Sequence, residues 1–309
     1  IIKVSNATFF FDEMKLLNLF DLKGEIFNIP FSLDYQNTLN LKKNKRIVIE
    51  AKDLRLKIIN ESFKLDESLT NGINNISVLN SKFNTRYNIL DQIITFESNN
   101  SRMHNSKVNY KGRLAINPFD LDLKIDLQNY KISNLFISNS IINEFIKSEL
   151  LFNENISINI LININSKIRD EIFNDVNIKL NILNGKINFD NTVFINDDIG
   201  LLEITNSNLF MDNDKLILDA NLSVDIKNVD RLFSFLNTSK KSRKDIKNIK
   251  LNIIYDFLSN QMEFKNIKIN DNEVSSQFQN IAEGFIDKNS YNLINSRRLL
   301  NELINLYEG

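Results

Sequence analysis

The chain has 309 residues, enough for one large β domain or two ordinary ones with a sizeable core; its 42% hydrophobic content, with 23 Phe, excludes an extended disordered segment. Net charge is −1 from 38 basic and 39 acidic residues, so nothing electrostatic points to nucleic acid as a partner. There is no Cys and a single His, which excludes disulfides, thiolate sites and multi-histidine metal sites, and leaves no Ser-His-Asp triad except through His104.

Only 7 Gly and 2 Pro occur. Asn is expected to make the turns instead, because it tolerates a left-handed backbone better than other non-Gly residues. No run of about 18 apolar residues exists, so no helix of this segment is expected to span a membrane. The chain opens on Ile1, without a charged n-region and apolar h-region, and reads as a piece cut from a longer protein, so the lack of a signal or anchor in this segment proves little.

In chain order, residues 1–11 offer a strand ending in Phe9-Phe10-Phe11. Met14, Leu17 and Phe20 fit a helical spacing, and a strand equally well. Gly24 to Leu33 reads as a strand containing Pro30, which removes a ladder donor and places the strand at an edge or a bulge. Ile47-Val48-Ile49 and Leu54 to Ile58 are two more strands, separated by Glu50-Ala51-Lys52-Asp53. Residues 60–110 carry weaker strands, with turns expected at Thr70-Asn71-Gly72 and Ser98-Asn99-Asn100. Val108 to Ile116 leads into the turn signal Asn117-Pro118. Leu121, Leu123, Ile125 and Leu127 then alternate with Asp122, Lys124 and Asp126. Strands recurring this closely, without long helices between them, predict antiparallel neighbours in a meander.

The clearest signal lies between Asn155 and Asn228. Ile156, Ile158, Ile160, Ile162 and Ile164 occupy every second position, and a period of two puts them on one face of a strand. Val176, Ile178, Leu180 and Ile182 repeat the pattern, as do Leu218, Ala220, Leu222, Val224 and Ile226. β-Branched side chains favour that pleated surface. Three helices are expected: 140–151, with Ser140 as N-cap; 229–236, capped by Asn228, with Val229, Leu232, Phe233 and Leu236 on one face; and 291–307. Between the last two lies the basic loop 239–244, and strands resume at Ile249 to Ile253 and Met262 to Phe264.

No catalytic constellation competes with this pattern, and an enzyme, cofactor or metal function is not expected. His104 sits in an Asn/Ser-rich turn, where a structural role is the ordinary one. Asp197-Asp198 and Asp212-Asn213-Asp214 could offer oxygens to a hard cation, but Asx-rich hairpin turns account for them better. There is no Gly-rich phosphate loop. The run at 240–244 reads as a solvated loop, with anionic headgroups the lesser alternative.

One resemblance carries a functional expectation. Gly185-Lys186-Ile187-Asn188-Phe189, then Gly200-Leu201-Leu202-Glu203-Ile204, then Leu216 to Ile226 with the helix 229–236, resemble the AsmA-like repeats of Gram-negative bacteria. So does Tyr110-Lys111-Gly112-Arg113-Leu114-Ala115-Ile116-Asn117-Pro118-Phe119. The likeness is densest over residues 105–270. It departs in lacking the family's N-terminal anchor helix and in having fewer glycines. The resemblance implies a mainly β fold: a long, curved antiparallel sheet curled into a groove, with a few short helices and a C-terminal helix. It also implies one continuous segment over 1–309, with a sub-boundary near the helix at 140–151. It further implies phospholipid acyl chains as the partner, transport between membranes, and a location on the periplasmic side of an inner membrane reached through an anchor outside this segment.

The implied groove lining is Ile156, Ile158, Ile160, Ile162, Ile164, Val176, Ile178, Leu180, Ile182, Ile187, Phe189, Leu218, Leu222 and Val224. Ile160→Asp and Leu180→Asp are then expected to fold and to lose lipid. The same alternation fits three further architectures. A greasy face can pack on a second sheet in a β-sandwich. A β-solenoid surface module needs no ligand. A transmembrane β-barrel needs strands of about 10 residues, longer than many read here.

Overall fold

The computed structural model describes residues 2–26, 29–39, 44–66, 68–132, 152–167, 172–213, 215–259, 261–283 and 293–307. The fold is mainly β with antiparallel pairing, a few short helices and a C-terminal helix. The chain divides into two compact units, Ile1–Gln128 and Asn129–Gly309. That boundary precedes the one expected near 140–151, and the helix expected there lies outside the described residues.

Unit 1 is a ten-stranded meander: β1 (Ile2–Asp12), β2 (Leu17–Ile26), β3 (Ile29–Thr38), β4 (Asn44–Ala51), β5 (Leu56–Lys64), β6 (Leu69–Val78), β7 (Ser81–Leu90), β8 (Ile93–Met103), β9 (Ser106–Ala115) and β10 (Phe119–Gln128). Each strand pairs with the one before and the one after it. The strands are 8 to 11 residues long. They are therefore longer than read from sequence, and strand length does not separate this sheet from a barrel.

Several sequence expectations change in this light. Met14 lies in the turn between β1 and β2, and Leu17 and Phe20 take the strand alternative of the two left open. Gly24 to Leu33 is not one strand but the junction of β2 and β3. Pro30 is in an inner strand, opposite Glu25, and lies beyond the last pair joining β3 to β4, Ser32 with Glu50. No ladder donor is needed from it on that side. Thr70-Asn71-Gly72 is not a turn but the interior of β6. Gly72 is required there by its neighbour, because a Cβ would run into the Tyr87 ring. Ser98-Asn99-Asn100 is not a turn either; the two Asn form a bulge in β8, between the pairs Ser98–Tyr110 and Ser101–Val108.

Asn does make turns. Asn184-Gly185 and Asn270-Asp271, with both residues at positive φ, close two-residue hairpins, as a type I′ turn requires. Asp91-Gln92 does the same between β7 and β8.

Unit 2 contains β11 (Ile156–Asn165), β12 (Asp175–Leu183), β13 (Lys186–Asn188), β14 (Thr192–Asn196), β15 (Gly200–Asp212), β16 (Lys215–Ile226), β17 (Asn248–Asp256), β18 (Gln261–Ile269) and β19 (Asn272–Glu273). The short β13 and β14 share the space between β12 and β15. The break in the ladder is mended by side chains. Thr192 Oγ1 accepts from the Lys179 N–H at 3.0 Å, and Ser207 Oγ accepts from the Phe189 N–H at 2.7 Å. Ser207 itself donates to Asp190 Oδ1, at 2.7 Å from its hydroxyl. Buried backbone donors must find partners, and here they do so locally.

Among the described residues three helices complete the unit: α1 (Val229–Leu236), α2 (Ser276–Glu283) and α3 (Leu293–Leu306). Asn228 caps α1, its Oδ1 accepting from the Arg231 N–H at 3.1 Å. The helices lie over the last long strands. Phe233, Leu236, Phe278, Ala282, Leu303 and Ile304 form one buried cluster with Ile246, Ile267 and Ile269. This end of the sheet is a closed hydrophobic core.

The wet face of unit 1 holds a like-charge contact. Asp21 and Asp34 are directly opposite on β2 and β3. Although Asp34 is largely exposed, partial desolvation against the sheet, followed by the facing Asp21 carboxyl, raises its pKa above the usual value. The folded state then retains a proton that the unfolded chain has released. Stability from that site is full below the ordinary Asp pKa and is lost as pH rises through the raised one. Asp34→Asn is expected to raise the melting temperature at neutral pH, with a gain that shrinks as pH falls to about 4. Melting curves across that range check it.

Candidate functional site

The candidate site is the apolar face of each sheet, built from the strand period. In unit 1 the register places Phe20, Tyr35 and Ile47 in one cross-strand row, and Leu22, Leu33, Ile49, Ile58, Ile76 and Phe83 in the next. Ile89, Ile94, Leu114 and Leu121 form a further row on the same face, across β7 to β10. The opposite face carries Arg46, Glu50, Lys57, Glu61, Arg113 and Asp120, joined in ion pairs such as Arg113–Asp120 at 2.9 Å. Such exposed pairs add little stability; they keep their own part of this face in water, while Val48, between Arg46 and Glu50, is buried.

Most of the greasy face is half-buried, and Ala51, Val108 and Leu127 on it are buried. Every substantial contact of a unit 1 strand within the unit is with an adjacent strand or with the single turn at 52–54. At β1 the face is open to solvent, with Phe9 67% exposed.

In unit 2 the fourteen expected lining residues divide in two. Ile158, Ile164, Val176, Leu180, Ile182 and Ile187 are buried, Ile182 and Ile187 completely. Ile156, Ile160, Ile162, Ile178, Phe189, Leu218, Leu222 and Val224 are half-buried. The register joins them across strands: Ile158 faces Ile182, Ile160 faces Leu180, and Ile162 faces Ile178. Ile182 then faces Ile187, and Ile187 faces Leu209, which is also buried. Leu222 and Val224 pair with Ile204 and Leu202. The buried set forms a packed floor around β12 and β13, and the half-buried set flanks it. Leu180→Asp, expected to fold, would instead put a carboxylate at a position only 8% exposed.

The remaining candidates fall to structural roles. His104 is in the β8–β9 turn at φ 54, its N–H donating to Ser81 Oγ at 3.3 Å. Asp197 and Asp198 lie in the β14–β15 turn, where Asn196 Oδ1 accepts from the N–H groups of Asp198 and Ile199, both at 3.0 Å. Asn174 Nδ2 donates to Asp197 Oδ2 at 2.5 Å. Asp212 ends β15 and Asn213 turns the chain at φ 52, while Asp214 lies outside the described residues. Among the described residues no group of three His, Cys, Asp or Glu is placed to hold a metal ion. Within the basic loop, Arg243 is turned inward, with its guanidinium 5.8 Å from the Phe233 ring centroid. No described helix is long and apolar enough to cross a membrane.

No protein-family model matches this chain, and neither the curated proteins nor the solved structures contain a match.

Proposed function

We propose that this chain is a non-enzymatic lipid-binding segment whose apolar sheet face carries acyl chains while its charged face stays hydrated. One observation carries the reading. In unit 1 a greasy face continues from strand to strand across ten strands, and at β1 it is open to solvent, with Phe9 exposed. A continuous apolar surface of that kind is costly in water and marks a binding face. Acyl chains fit it because they are apolar, flexible and indifferent to side-chain detail.

The likeness of residues 105–270 to the AsmA-like repeats supports a finer version. In it the lipid is a phospholipid moving between membranes, and the longer protein is tethered to an inner membrane with this segment on the periplasmic side. The test is transfer of a fluorescent phospholipid between donor and acceptor vesicles. The segment is expected to speed transfer in proportion to its concentration. A folded segment that neither binds nor transfers the probe overturns the proposal.

A further inference from the structure

The apolar face of unit 1 contains a polar row. Asn60 on β5 faces Asn74 on β6, and Asn74 faces Thr85 on β7. Ser98 on β8 faces Tyr110 on β9. Thr85 and Tyr110 share a 2.6 Å hydrogen bond, which joins the two halves. The neighbouring row is greasy: Ile58, Ile76 and Phe83 are its members on β5, β6 and β7. Tyr87 reaches across Gly72, and its hydroxyl donates to Asn60 Oδ1 at 3.1 Å and accepts from Asn60 Nδ2 at 3.0 Å. Asn74 differs from the rest, because its amide oxygen is enclosed and has no hydrogen-bond partner.

An acceptor enclosed without a donor costs folding free energy, and a Leu or Val would fill the same place on a greasy face without that cost. The row holds no formal charge. A phosphate or ammonium group laid there would lose water and meet no opposite charge. A neutral hydroxyl would supply the missing donor, while the Asn60 amide and the Thr85 hydroxyl can donate to ester oxygens.

We infer, on the basis of the lipid reading above, that this row is a head-group subsite for an uncharged, hydroxyl-bearing amphiphile of the monoacylglycerol type. The tail lies along the row of Ile58, Ile76 and Phe83, and the hydroxyl donates to Asn74 Oδ1. Entry of the head displaces the Tyr87 hydroxyl from Asn60, which opens the row.

The test compares two probes on the whole 309-residue chain: 1-monoolein, and methyl oleate, which has the same tail and an ester but no hydroxyl. Monoolein is expected to bind about tenfold more tightly, the size of one well-made hydrogen bond. In Asn74→Leu that preference should fall to about one while methyl oleate binding is kept. Thr85→Val, nearly identical in shape, should reduce it in the same direction and carries the test if Asn74→Leu does not fold. Methyl oleate binding with no preference for monoolein, or a preference untouched in the folded variants, overturns the subsite alone. Failure of both probes to bind overturns the lipid reading, and this inference with it.

Discussion

Ile182→Asp should abolish folding of the segment. Ile182 is fully buried, faces Ile158 on β11 and Ile187 on β13, and both of those are buried as well. These apolar neighbours offer a new carboxylate no cation to pair with. An unpaired buried charge costs several kcal/mol, against a total stability of ~5–15 kcal/mol. Ile182→Ala is the milder control: it leaves a cavity costing about 2–5 kcal/mol and should still fold, with a lowered melting temperature. Soluble yield and a cooperative thermal melt by circular dichroism read both outcomes. An Ile182→Asp protein melting within a few degrees of the parent would show that the floor around β12 and β13 is not closed.

Ile160→Asp, on the strand next to it, is expected to behave in the opposite way. Ile160 is half-buried although it lies between Ile158 and Ile164, which are buried. Its carboxylate can stay hydrated, so the loss is part of an Ile burial term, about 1–2 kcal/mol. The variant should fold, melt lower, and hold much less acyl lipid, because an ionised group then faces the chains. Leu180→Asp, directly across the ladder, should resemble Ile182→Asp instead. Melting temperature measured together with bound lipid separates the three. An Ile160→Asp protein that folds and keeps its full lipid content removes this face from the binding surface.

That contrast marks how far the sequence is legible. A period of two in Ile156 to Ile164 reports which side chains share a face, and the strand forms over Ile156–Asn165 as the alternation implies, while its register against β12 is seen only in the structure. The same alternation arises whether or not something covers the face, so the division between Leu180 and Ile160 is invisible in it. Helix α1 is legible because an Asn cap precedes apolar residues at helical spacing. Helix α2 escapes the pattern because its apolar residues, Phe278, Ile281 and Ala282, are few and set among polar ones; the N-cap at Ser275, whose hydroxyl accepts from the Phe278 N–H at 3.3 Å, is the signal that marks it.

Turn chemistry misleads where Asn and Gly serve a neighbouring strand. Gly72 looks like a turn residue and in fact makes room for Tyr87, directly opposite it on β7. The polar row at Asn60, Asn74 and Thr85 is hidden in the sequence, because it exists only once three separate strands are in register.

The most direct test of acyl-chain binding on the apolar sheet face is lipid extraction from the purified, folded segment followed by mass spectrometry. Co-purifying acyl lipid is expected in at least equimolar amount, and sharply reduced in folded Ile160→Asp protein. Folded protein that yields no bound lipid, and takes up none when incubated with vesicles, would contradict that binding.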